Sequence, residues 1–86
     1  MDTEGRRIKA DCVAALAVIG PTDGAPESSV YLALGSDLER TRLVVRVLAE
    51  AGLATLSDGH WLAPTLEGAK AARAARRAVD AASRSR

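Results

Sequence analysis

Gly35-Ser36-Asp37-Leu38-Glu39-Arg40-Thr41-Arg42-Leu43-Val44-Val45-Arg46-Val47-Leu48-Ala49-Glu50-Ala51-Gly52-Leu53 reads as a tight turn followed by a well-delimited helix. Ser36 and Glu39 fit a capping box, with the serine at the N-cap and the glutamate three residues on. Leu38, Thr41, Val45 and Leu48 recur at spacings of three, four and three, which places them on one helical face. Gly52 suits the left-handed residue after the helix, and Leu53 the apolar contact that accompanies such an ending. The spacing predicts a helix over 37–51.

Working outward, a shorter helix over 26–34 precedes the turn. Pro26 suits the first helical position, Glu27 the positive end of the dipole, and Val30 and Leu34 share a face. Two helices joined through Gly35-Ser36 are a helix-turn-helix signature. Upstream, Ile8, Cys12, Leu16 and Ile19 mark a helix over 6–19, which Gly20-Pro21 ends, and 21–25 is expected to be a loop around Asp23-Gly24. Downstream the period shortens. Asp58-Gly59 is a strong two-residue hairpin turn between 54–57 and 60–62, and it sets Ser57 opposite His60 and Leu56 opposite Trp61. Thr65 is placed to cap a last, alanine-rich helix over 66–82. The fold class expected is α+β, mostly helical, in a single domain over 1–86: a three-helix core, a hairpin over 54–62 and a C-terminal helix.

Composition agrees with packed helices. Of 86 residues, 48% are hydrophobic, and Tyr31 and Trp61 are the only aromatics, so Leu, Val, Ile and Ala must build the core. One cysteine allows no internal disulfide. The first seven residues are largely charged, and the apolar run Val13–Ile19 is far below the roughly 20 residues of a membrane span. A cytoplasmic protein with no signal peptide and no membrane partner is expected. Charge is uneven: from Thr65 onward six basic residues face two acids, while the first 64 residues carry six against nine, for a net +1 overall. A basic C-terminal stretch is compatible with a nucleic-acid partner.

The order helix, helix, helix, hairpin, helix resembles a winged helix-turn-helix domain. Leu48-Ala49-Glu50-Ala51-Gly52-Leu53 is similar to the recognition-helix ending of many small bacterial and phage regulators, and Thr65-Leu66-Glu67-Gly68 to the threonine-x-x-glycine step that leaves their wing. The likeness covers about residues 6–80. Two positions depart from the pattern. Pro64 stands where leucine is common, and the wing tip Ser57-Asp58-Gly59-His60 has no lysine or arginine. The resemblance implies sequence-specific binding of double-stranded DNA by a transcriptional regulator acting as a homodimer, each third helix entering a major groove.

On that helix the outward line carries Glu39, Leu43, Arg46 and Glu50, flanked by Arg40 and Arg42. The resemblance makes Arg40, Arg42 and Arg46 the base- or phosphate-contacting candidates, because arginine can donate two hydrogen bonds to a guanine edge. Ser36 and Thr41 lie near the DNA backbone in the same scheme. The alternative is ordinary surface pairing, Glu39 with Arg42 or Arg46 with Glu50, worth a few tenths of a kcal/mol. Leu43 and Val47, joined through Val44, form an apolar strip that leaves three readings open: a docking surface for a protein partner, a face covered by the last helix or the wing, or contact with a thymine methyl. In the last helix Lys70, Arg73 and Arg77 lie along one side and are candidates for an interface or for phosphate contact, with packing plus dimerisation preferred.

No chemistry-bearing constellation stands out. Cys12 falls on the apolar stripe of its helix, His60 has no second histidine to complete a metal site, and no glycine-rich phosphate loop occurs. Trp61 is expected to close the core against Leu56. Three readings remain: DNA binding without catalysis or cofactor, a protein-interaction module that keeps the winged-helix shape but has lost DNA binding, and a subunit that binds nucleic acid only within a larger assembly.

Overall fold

The apolar stripe of the first helix is the element around which the chain packs. A computed structural model describes residues 3–84. Its elements are α1 (Thr3–Ile19), β1 (Ala25–Pro26), α2 (Glu27–Ala33), α3 (Leu38–Glu50), β2 (Ala54–Leu56), β3 (Trp61–Pro64) and α4 (Leu66–Arg84). This is a small, mostly helical α+β domain with four helices and a three-stranded antiparallel sheet in the order β1-β3-β2. The core joins Ala15, Leu16 and Ile19 of α1 to Val30 and Leu34 of α2, Val44, Val45 and Leu48 of α3, Ala54 and Leu62 of the hairpin, and Ala72 and Ala75 of α4.

The helix endings follow the turn chemistry. After α3 the Gly52 N–H donates to Ala49 O (3.1 Å) and the Leu53 N–H to Leu48 O (2.9 Å), the paired bonds of a Schellman ending. Gly52 takes φ +74 there, and Leu53 packs against the core beside Leu48. The same pair of bonds closes α2, from Gly35 to Leu32 and from Ser36 to Tyr31. Ser36 is thereby drawn into the left-handed region at φ 60, so the N-cap of α3 is Asp37, whose carboxylate accepts the Arg40 N–H at 3.1 Å. The expected Ser36–Glu39 capping box is replaced by an aspartate cap, worth about 1 kcal/mol.

Three further expectations are corrected. Residues 25–26 form a strand on the open edge of β3, pairing Ala25 with Leu62 and Pro26 with Trp61. Pro26, at φ −70 and ψ 151, is the extended residue before α2 rather than its first helical residue. Proline's fixed φ suits either role and its missing N–H suits an edge strand, so only the neighbouring strand decides. Leu38, counted with the inward face of α3, is 51% exposed because it stands at the margin of the buried arc set by Thr41, Val44, Val45 and Leu48.

The hairpin is longer by one residue. The Ser57 N–H donates to Trp61 O (2.9 Å) and the His60 N–H to Ser57 O (3.0 Å), leaving Asp58-Gly59-His60 as a three-residue connection with His60 left-handed at φ 57. Leu56 therefore pairs with Leu62, not with Trp61. A one-residue slip reverses the faces of a strand. Leu62 enters the core at 1% exposure, while Trp61 is left 45% exposed with its indole Nε1 beside Gly24, and Leu56 is 44% exposed.

Thr65 joins two elements. Its Oγ1 accepts the Gly68 N–H (3.0 Å) as the cap of α4 and donates to Gly52 O (2.6 Å) at the end of α3. From there α4 lays Ala69, Ala72 and Ala75 into the domain, chiefly against α1.

Candidate nucleic-acid interface

The burial of Thr41, Val44, Val45 and Leu48 turns the opposite side of α3 outward, and Glu39, Arg42, Leu43, Arg46 and Glu50 are all exposed there. Among the described residues neither Arg42 nor Arg46 has a carboxylate within ion-pair distance, so the Glu39–Arg42 and Arg46–Glu50 pairs are not formed. Leu43 is 41% exposed in this row, whereas Val47 is half-buried on the helix flank. The row carries two positive and two negative charges around one leucine.

The remaining candidates on this helix are placed differently. Arg40 points along the α1 side: Nε donates to Asp11 Oδ2 (3.0 Å) and Nη2 to Asp11 Oδ1 (2.6 Å). Such a two-point fork is the strongest geometry available to a guanidinium and a carboxylate. Asp11 also stabilises the protonated guanidinium further, through that hydrogen bond first and against some desolvation. Thr41 is fully buried and its Oγ1 donates to Asp37 O (2.7 Å), so its hydroxyl cannot reach an external phosphate. Ser36 is exposed in the turn between α2 and α3. The outward face thus contains Arg42 and Arg46 but neither Arg40 nor Thr41.

Asp11 was missed by sequence reasoning, although a signal existed. It stands three residues after Ile8 and four before Ala15, on the stripe α1 buries, and it is itself 7% exposed. A lone acid on an apolar face requires a partner. Removing that partner is the more damaging change: Arg40→Ala strands the carboxylate in the interior, while Asp11→Ala leaves an arginine that can turn to water. Arg40→Ala is expected to lower the urea midpoint more than Asp11→Ala, and the double variant to recover part of the loss. Equal single effects that simply add would show no coupling between the two.

On α4, Lys70, Arg73 and Arg77 are exposed on the side away from the buried alanines. Lys70 lies 3.7 Å from Glu67, a solvated contact of little energetic weight. Arg76 instead turns back on the body, its Nε donating to Ala17 O (3.0 Å) near the end of α1, where a cation also complements the helix dipole. At the hairpin tip His60 Nδ1 lies 3.1 Å from Glu27 Oε1, joining the tip to the start of α2.

Cys12 is half-buried in the core margin, and burial, with the nearby Asp11 charge, raises its thiol above the usual range. It is therefore a neutral packing group at pH 7. Among the described residues no three His, Cys, Asp or Glu side chains gather in a set that could hold a metal ion, and no helix is long and apolar enough to cross a membrane. Comparison of the chain with family models, characterised proteins and solved structures found no match.

Proposed function

We propose that this chain is a winged helix-turn-helix domain that binds double-stranded DNA sequence-specifically, as a transcriptional regulator acting as a homodimer. The observation that carries this reading is the outward row of α3, where Arg42 and Arg46 stand exposed, without ion-pair partners among the described residues, on the second helix of a tightly turned pair. In a major groove these two guanidinium groups would meet guanine edges or phosphates. Pairing of copies is supported by α4. Val79, 45% exposed, continues at helical spacing the side that Ala72 and Ala75 bury, beyond the point where the domain covers it. Lys70, Arg73 and Arg77 stay on the opposite, solvated side.

The test is duplex binding measured against salt. Each phosphate neutralised contributes about 0.9 to the logarithmic salt slope, so removing both arginines from two protomers should flatten the slope by up to about three to four. Arg42→Ala with Arg46→Ala is expected to abolish specific binding while leaving the fold intact, and light scattering is expected to give a dimer mass. Binding unaffected by that double variant would refute the assignment.

A second reading, a protein-interaction module, is favoured by a different observation. The hairpin tip offers Asp58 and a His60 in hydrogen-bond contact with Glu27 in place of a basic wing, and Leu38, Leu43, Leu56 and Trp61 are all substantially exposed. Absence of any salt-dependent duplex binding would leave this reading in place of the first.

A further inference from the structure

We propose that the groove between α2, the first turn of α3 and the hairpin tip is a binding site for a small apolar organic cation, such as an aryl-alkyl ammonium. The groove has a volume of about 400 Å³, and its wall is predominantly apolar, with Pro26, Tyr31 and Leu38 facing Glu27, Gly59 and His60. That volume lies in the range of small-molecule sites, which combine apolar walls with a few convergent polar groups. It is held open by contacts between its sides. The Glu27 N–H donates to His60 O (2.8 Å), His60 Nδ1 meets Glu27 Oε1 (3.1 Å), and Pro26 pairs with Trp61 in the sheet. A site formed before the ligand arrives avoids the ordering cost of binding.

The sign of the ligand follows from the charges around it. Among the described residues Glu27 is the one formally charged group lining the groove when His60 is neutral, and no lysine or arginine lines it. The Glu27 side chain is only 24% exposed, so its field acts through a medium less polarisable than bulk water. Its Oε2 has no protein partner among the described residues and can receive an ammonium N–H. A phosphate or carboxylate would meet the like charge of Glu27. Leu38 and Tyr31 take up the apolar body, for which an inorganic cation has no use. The site uses neither Arg42 nor Arg46, so it stands or falls separately from DNA binding.

The experiment is a titration of the full-length ¹⁵N-labelled chain with three ligands of one shape: 2-phenylethylammonium, neutral 2-phenylethanol and anionic phenylacetate. The ammonium ion is expected to give saturable amide shifts confined to 27–31, 38–41 and 58–61, with millimolar affinity. The alcohol is expected to bind at least fivefold more weakly and the acid not at all. Glu27→Gln should weaken the ammonium roughly fivefold to tenfold, the scale of one partly sheltered charge contact. Leu38→Arg, at a position already half-exposed, should remove binding by placing a tethered cation in the groove. Equal shifts from all three ligands, shifts scattered over the surface, or no saturable shift would overturn the proposal. So would tighter binding of N-acetyl-arginine amide than of the ammonium ion, which would assign the groove to a basic side chain of a partner protein.

Discussion

Gly68→Ala is expected to destabilise the domain by about 3 kcal/mol or more, although alanine is the better helix former by about 1 kcal/mol. A Cβ at position 68 would fall on the carbonyl oxygen of Leu53 and lie 2.6 Å from its carbonyl carbon. Backbone cannot rotate aside as a side chain can. Withdrawing α4 to make room would strain the bonds that pin its first turn, from the Thr65 N–H to Leu53 O (3.2 Å) and from Thr65 Oγ1 to Gly52 O (2.6 Å). Urea unfolding followed by circular dichroism decides by sign: propensity alone would raise the midpoint, whereas the close approach of α4 to the end of α3 must lower it. The threonine-x-x-glycine step thus has a physical content here. Thr65 ties the two elements together, and Gly68 lets them come close.

Leu62→Ala is expected to cost about 3 kcal/mol, and Trp61→Ala only about 1–2 kcal/mol despite the larger ring. Leu62 sits in the central strand at 1% exposure within the apolar core, and β3 packs on both α1 and α4, so its truncation leaves a cavity that the surrounding helices cannot fill. Trp61 is 45% exposed, and water occupies the space it vacates. Since Trp61 is the one tryptophan in the chain, its emission should be that of a partly hydrated indole and be readily quenched by acrylamide. A blue-shifted, protected tryptophan, or a larger loss at position 61 than at 62, would restore the two-residue turn and the Leu56–Trp61 pair.

These two sites also mark where sequence reasoning reached and where it stopped. The outward row of α3 was legible because the buried face of a thirteen-residue helix is set by its own 3.6-residue period. The exposure of Glu39, Leu43, Arg46 and Glu50 needs no information from the rest of the chain. Arg40 was not legible in this way. Whether a flank arginine meets solvent or a carboxylate depends on Asp11, twenty-nine residues away on another helix. For the candidate surface this distinction matters, since it leaves two arginines where the resemblance offered three.

The local code of the chain settled the four helices, the left-handed endings at Gly35 and Gly52, and the Thr65 cap, because each depends on hydrogen bonds within a few residues. Tertiary structure alone decided the β1 strand, the hairpin register and the burial of Leu62 in place of Trp61. A strand's partner and facing are properties of two segments at once, and a change of one residue in the connecting turn exchanges every side chain between core and solvent.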